Sequence, residues 1–217
     1  MRDITQETFD AVLFDNDGTL TDSRAAVERA WYAWAVHHDI PLERFVGFHG
    51  VPSRGIVQMV APHLDADTAT ADIDRRELED ADGVVALPGA EQAIATVGAR
   101  AAIVTSAGRD LAILRLGAAG LVPPEAFVTA DDITVGKPDP QPYLIGADRL
   151  GADPARCLVV EDAPAGLRSG RAAGAATLAL TTTSTAEELA PLADLVVRDL
   201  SAVRFTVSGE GVRIAVP

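Results

Sequence analysis

Cysteine is almost absent. Cys157 stands alone, so no disulfide can form within the chain, and its place in the apolar run CLVV makes it a buried strand residue. Long apolar runs are missing as well. No stretch approaches the roughly 18 consecutive apolar residues of a membrane-spanning helix, and the opening MRDITQETFD has neither the basic start nor the apolar segment of a secretion signal. These absences predict a soluble, cytoplasmic protein without a membrane partner. Positive charge is scarce: 18 Lys and Arg stand against 32 Asp and Glu, a formal net charge of −14. With no Lys/Arg-rich run to displace counterions, a nucleic-acid partner is excluded. Internal repeats and low-complexity tracts are lacking too.

At 217 residues, 48% of them apolar, the chain suffices for one packed α/β domain with a modest insertion, since domains run to about 250 residues. Its most informative stretch is AVLFDNDGTLTDS. The run 11–14 reads as a buried parallel strand, and Gly18 and Thr19 break it where strand ends of open α/β sheets carry ligands. Asp15 and Asp17 stand at i and i+2. Side chains alternate along a strand, so the two carboxylates share a face with no base between them, and their repulsion calls for a cation. Hard oxygen donors suit Mg²⁺, which also takes phosphate oxygens, and an aspartate can attack phosphorus as a nucleophile.

After this strand the α/β pattern stops. Asp22 or Ser23 can cap an amphipathic helix reaching about residue 38, with Val27, Ala30, Trp31, Trp34 and Ala35 at helical spacing and Pro41 beyond its end. Further helices are expected over 53–61 and 67–80 with no strand between them, so 21–85 is predicted to be a helical cap over the strand ends. Pro88 and Gly89 mark the return. From there elements alternate: helix 90–98, strand 101–105, helix 108–116, strand 127–129, helix 140–150, strand 157–160, helix 164–173 and strand 176–180. A last strand at 195–197 precedes RFTVSGEGVRIAV, whose alternation around SGEG predicts a terminal hairpin. The Gly/Ala richness of LRSGRAAGAATLAL predicts close helix-to-sheet packing. The fold class is therefore α/β, a doubly wound, Rossmann-like parallel sheet built from 1–20 and 86–217.

Three further polar elements follow apolar runs or sit in loops: Ser106 ending AAIVTS, Lys137 in VGKPDPQPYL, and Glu161 with Asp162 in CLVVEDAPAGL. Singly, Ser106 suits a helix N-cap, Lys137 a solvated loop and the acidic pair a helix start. Together, and in this order behind FDNDGTL, they resemble the four motifs of the haloacid dehalogenase superfamily of phosphohydrolases, over residues 9 to about 197.

That resemblance implies a set of roles. Asp15 is the nucleophile that forms an aspartyl-phosphate, and Asp17 is the general acid/base. Ser106 bonds a phosphoryl oxygen, and Lys137 offsets charge on nucleophile and phosphate. Mg²⁺ would be held by Asp15, the Asp17 main-chain carbonyl and Asp162, with Glu161 acting through a bound water. Asn16, Gly18, Thr19, Ser106, Ala107 and Lys137 would surround the phosphate. Asp17 also separates phosphoryl chemistry from dehalogenation, because a departing halide needs no proton.

The segments TDSRAAVERAWYAWAVHH, IVTSAGRD and FVTADDITVGKPDPQPYLIGA are similar to bacterial sugar and sugar-alcohol phosphatases, which implies a small phosphorylated metabolite, a hexose or hexitol phosphate, as substrate. In the cap, His49 and Gly50 resemble a family HG element and Arg54 follows shortly, which makes His49 and Arg54 candidates to bind the substrate's phosphate or hydroxyls, although Arg54 equally suits packing along a helix with its head in water. Two other readings share these residues: a sugar phosphomutase of the β-phosphoglucomutase type, and a catalytically silent binding protein on the same fold. Asn16 departs from the apolar residue usual between the two aspartates, and its amide needs a hydrogen-bond partner if buried.

Overall fold

The computed structural model describes residues 2–45 and 51–216. Apolar runs too short for helices become strands, and the amphipathic segments between them become helices. In chain order these are β1 (Ala11–Phe14), β2 (Thr21–Asp22), α1 (Arg24–His37), α2 (Ser53–Val60), α3 (Ala66–Glu79), β3 (Val85–Ala86) and α4 (Ala90–Val97). Next come β4 (Ala101–Val104), α5 (Arg109–Ala118), β5 (Ala126–Val128), α6 (Gln141–Arg149), β6 (Cys157–Glu161), α7 (Pro164–Ala172), β7 (Ala176–Leu180), α8 (Ala186–Leu189), β8 (Leu195–Val197), β9 (Arg204–Ser208) and β10 (Gly211–Ala215).

Six strands form one parallel sheet in the order β5-β4-β1-β6-β7-β8. Strands buried on both faces read as continuous apolar runs, and β1, AVLF, is buried throughout. Its side chains divide by the two-residue period: Val12 and Phe14 enter one core with Ile103, Leu158, Val160 and Leu178, while Ala11 and Leu13 enter the other with Val104, Tyr143 and Val159. Helix α7 lies close on the sheet, because a Cβ at Gly170 would stand 2.9 Å from Val159. The terminal hairpin β9–β10 is antiparallel, and it completes the first core by packing Phe205 edge-on to Phe14 with ring centroids 5.9 Å apart.

The helical insert follows β1, as expected. Its core is Trp34 against Ile56, Val57 and Ile73, and the Trp34 Nε1–H donates to the Ala69 carbonyl at 2.9 Å. Two short strands at the edges of the insert are not predicted from the sequence. Thr21 pairs with Ala86 and Asp22 with Val85, antiparallel, so the outgoing and returning chains zip into a two-residue ribbon. A pairing this short has no periodicity to detect. Among the described residues no helix is long and apolar enough to cross a membrane.

Candidate active site

Among the strands of the large sheet, the order reverses direction between β1 and β6, and ligands of open α/β sheets bind beyond the carboxyl ends of strands at such a switch. Phe14 is in register with Val160, so the next residues, Asp15 just past β1 and Glu161 at the end of β6, emerge side by side. The Asp15 N–H donates to the Val160 carbonyl at 3.0 Å. Beyond Asp15 the chain turns on itself: the Asn16 carbonyl accepts from the N–H groups of Thr19, Leu20 and Thr21, and the Gly18 N–H donates to the Thr21 carbonyl at 2.8 Å. Gly18 has φ +89, and a Cβ there would collide with the Asp162 carboxylate. Only glycine allows the turn to close over Asp162.

Lys137 is the only lysine in the chain. It is buried, and its ammonium donates to three acceptors: Asp15 Oδ1 at 2.6 Å, Glu161 Oε1 at 2.7 Å and the Val104 carbonyl at 3.0 Å. Three donors meet three acceptors, a match for the compact ammonium that a planar guanidinium would not make. The ammonium also lies 5.0 Å from the centre of the Tyr143 ring. Glu161 is equally saturated. Its Oε1 also accepts from the Tyr143 hydroxyl at 2.8 Å, and its Oε2 accepts from the N–H groups of Asp162 and Ala163 at 3.1 and 3.2 Å. Helix α7 passes so close that a Cβ at Gly166 would overlap the Glu161 carboxylate. Gly166→Ala should therefore displace Glu161 and with it Lys137. The expected outcome is a loss of about 1–3 kcal/mol of stability, read as a lowered Tm, together with slower turnover.

Asp162 accepts from Thr19 Oγ1 at 3.1 Å on one oxygen and from Thr183 Oγ1 on the other. Oxygens of Asp15, Glu161 and Asp162, all buried, lie within 4.8 Å of one another. Three carboxylates against one ammonium leave two negative charges uncompensated. Burial raises the Asp15 pKa well above the ordinary carboxylate range, and burial with the charge of Glu161 pushes Asp162 up to about 7. Asp15 and Glu161 raise the Lys137 pKa against its burial, so its ammonium stays charged. A donor set made only of oxygens, short of two positive charges, fits a hard divalent cation such as Mg²⁺.

Asp17 lies beside this cluster. Its Oδ1 accepts from Ser23 Oγ at 2.7 Å and from Arg115 Nη1 at 3.0 Å, and its Oδ2 from Asn16 Nδ2 at 3.3 Å. Ser23 precedes α1 yet makes no side-chain cap, because its hydroxyl is committed to Asp17. Asn16 is buried, and its Oδ1 has no partner among the described residues. A cleft of about 720 Å³ between insert and sheet is lined by Asp15, Asp17, Gly18, Ser106, Ala107 and Asp162, and on the insert side by Trp31, Tyr32, Arg54, Ile56, Thr70 and Asp74. This is within the range of about 300–1,000 Å³ usual for small-molecule sites. Ser106 and Ala107 occupy the loop before α5, where Gly108 stands at the N-cap position and the Ala107 N–H donates to Thr105 Oγ1 at 3.1 Å. Arg54 borders the cleft, but its guanidinium is bonded to the Asp67 carboxylate. His49 lies outside the described residues.

Several members of the site were not read from the sequence. Thr182 and Thr183 follow β7 at the same sheet edge as the other motifs, and Thr182 donates to the Gly18 carbonyl. A polar run directly after an apolar strand was the available signal. Tyr143 is an aromatic on a helix with nothing to separate it from the core. Arg115 and Glu77 are buried at 5% exposure each. A lone arginine inside LAILRLGAAGL marks a charge on a buried face, but its partners lie far away in sequence.

Residues 9–174 match the family profile of haloacid dehalogenase-like hydrolases. The chain is 40% identical over 206 residues to hexitol phosphatase A of Escherichia coli, covering 92% of this chain and 95% of that one. With 2-deoxyglucose-6-phosphate phosphatase 2 of Saccharomyces cerevisiae it shares 32% identity over 231 residues, covering 94% of each. Among solved structures, a hydrolase from Pseudomonas syringae superposes with a TM-score of 0.81 at 28% identity, covering 88% of this chain and 94% of that one.

Proposed function

The chain belongs to the haloacid dehalogenase-like hydrolases, and on that premise we propose that it is a Mg²⁺-dependent phosphatase of small sugar or sugar-alcohol phosphates, hexose and hexitol phosphates foremost. One observation carries this reading: Asp15, Lys137, Asp17 and the Glu161–Asp162 pair meet at one sheet edge, beneath a cleft sized for a metabolite.

Asp15 attacks phosphorus through a carboxylate oxygen. As that bond forms, the bond from phosphorus to the substrate oxygen breaks, and Asp17 delivers a proton to the departing alkoxide. Asp17, now ionised, takes a proton from water as the water oxygen attacks phosphorus. The Asp15–phosphate bond then breaks, and inorganic phosphate leaves. Ser106 supplies a hydroxyl toward a phosphoryl oxygen, and Lys137 lowers the cost of ionising the Asp15 carboxylate and aims it. The cation would rest on Asp15, the Asp17 carbonyl and Asp162, with Glu161 behind them; when bound it neutralises charge between nucleophile and phosphoryl oxygens.

The charge of the cleft favours phosphatase over mutase. A mutase must accommodate a bisphosphate, yet the cleft also bears Glu28, Asp74, Glu77, Asp110 and Asp131. Its arginines are engaged: Arg54 by Asp67, Arg109 by Asp132, Arg115 by Asp17 and Glu77, with Arg24 at 3.9 Å from Asp22. A single phosphate on a neutral polyhydroxylated carrier suits these walls.

The test is a panel of hexose, hexitol and glycerol phosphates assayed with and without Mg²⁺. Mg²⁺-dependent phosphate release from hexose or hexitol phosphates is expected, without isomerised sugar phosphate. Isomerisation of β-glucose 1-phosphate primed by a bisphosphate would select the mutase, and absence of hydrolysis across the panel would select the silent binding protein.

A further inference from the structure

We propose that Arg115 is a positioning residue for Asp17, anchored to the helical insert through Glu77, so that the seat of the insert sets the orientation of the proton-transferring carboxylate. The inference rests on the reading of Asp17 as general acid and base.

Arg115 belongs to the buried face of α5, beside Leu111, Ala112 and Leu116. A charge there is costly unless paired. Its two terminal nitrogens point to different parts of the molecule: Nη1 donates to Asp17 Oδ1, and Nη2 donates to Glu77 Oε1, each at 3.0 Å. Glu77 stands on α3 of the insert, on the same buried face as Ala69 and Ile73. A planar guanidinium can bridge two carboxylates in a fixed relation, whereas an ammonium acts as a point charge. Moving α3 relative to α5 therefore moves the fork that holds Asp17.

The consequence for Asp17 is directional. Oδ1 accepts the two shorter bonds, from Ser23 and Arg115, while Oδ2 has only the longer one from Asn16. Oδ2 is therefore the less encumbered of the two oxygens. Ser23 leads into α1, so both bonds on Oδ1 report on the insert, one through its entry point and one through α3.

The test compares two esters. A p-nitrophenolate leaves almost unaided, whereas an alkoxide needs the proton that Asp17 supplies. Glu77→Gln keeps the size and one acceptor of the anchor but removes its charge. It is expected to lower kcat for a hexitol phosphate about 10-fold or more beyond its effect on p-nitrophenyl phosphate, with KM little changed. Arg115→Met should give a larger selective loss, and Arg115→Lys should recover part of it. In an Asp17→Asn background the Glu77→Gln change should add no further selectivity, because the coupling has lost its target. Equal losses on both esters in an active enzyme, or additive effects with Asp17→Asn, would overturn the role of Arg115 and leave the phosphatase reading standing. A wild type inactive on both esters would overturn that reading and this inference together. Should Arg115→Met fail to fold, Glu77→Gln alone decides.

Discussion

Asp15→Asn should reduce phosphate release from every substrate of the enzyme by on the order of 10⁴-fold or more, while the protein stays folded. The amide retains the shape of the side chain and can still accept from Lys137, so packing at the end of β1 is preserved. What it loses is the anionic oxygen that, in the proposed mechanism, bonds to phosphorus. The stability expected for this variant distinguishes a chemical from a structural loss. Burial already holds the Asp15 pKa well above the ordinary value, which means that its charged form is disfavoured where it sits. A neutral amide relieves that penalty while Glu161 stays paired with the Lys137 ammonium, so the metal-free variant should melt no lower than the wild type near neutral pH. Activity lost with Tm unchanged or raised is the predicted pair of results; near-normal turnover would remove Asp15 from the nucleophile's role.

Lys137→Met should instead damage both activity and stability. Removing the ammonium leaves Asp15 and Glu161 facing one another in a buried site, each having lost its bond of 2.6 or 2.7 Å. Breaking a buried ion pair from one side costs about 3–5 kcal/mol, which for a chain of this length lowers Tm by roughly 6–20 °C in the absence of divalent metal. The pH dependence has a definite sign. A carboxylate whose folded-state pKa is raised binds its proton more tightly in the native than in the unfolded state, so native stability falls as pH rises through that raised value. Burial raises Asp15, and losing Lys137 removes its main counter-charge. The deficit of Lys137→Met should therefore be largest at alkaline pH and shrink as the solution is acidified toward the unfolded carboxylate range. Lys137→Arg should not rescue, because three converging acceptors leave no room for a planar fork. Melting curves across pH, recorded for both variants without metal and again with Mg²⁺, test each part.

The core of this site was legible because its chemistry sits at strand ends. Asp15 and the Glu161–Asp162 pair stand directly after unbroken apolar runs and Ser106 one threonine beyond another, and parallel strands deliver the residues at their carboxyl ends to one edge. The register of β1 and β6 could not be read, yet the order of motifs implied their convergence. The same logic explains the sheet and the terminal hairpin, whose alternation around SGEG is local. Less legible were contacts set by helix packing. Arg115 meets Asp17 and Glu77 across 98 and 38 residues of sequence, and nothing local encodes which helical faces will meet. Ser23 illustrates a competition between two local roles: a serine before a helix suggests a cap, but the nearby Asp17 carboxylate is the stronger acceptor and takes its hydroxyl. Arg54 shows the reverse case, a cation in the cleft wall whose guanidinium is held by a neighbouring aspartate of the insert.

In the proposed mechanism, transfer of the phosphoryl group to Asp15 is the step on which every other role depends. Rapid acid quenching of the enzyme during turnover of a hexitol phosphate with Mg²⁺, with peptide mass mapping of the quenched protein, tests it directly. One added phosphoryl group is predicted on the peptide that contains residues 3–24, localised to Asp15 and lost in Asp15→Asn. Phosphate release at full rate with the adduct on another residue, or with Asp15→Asn still active, would contradict it.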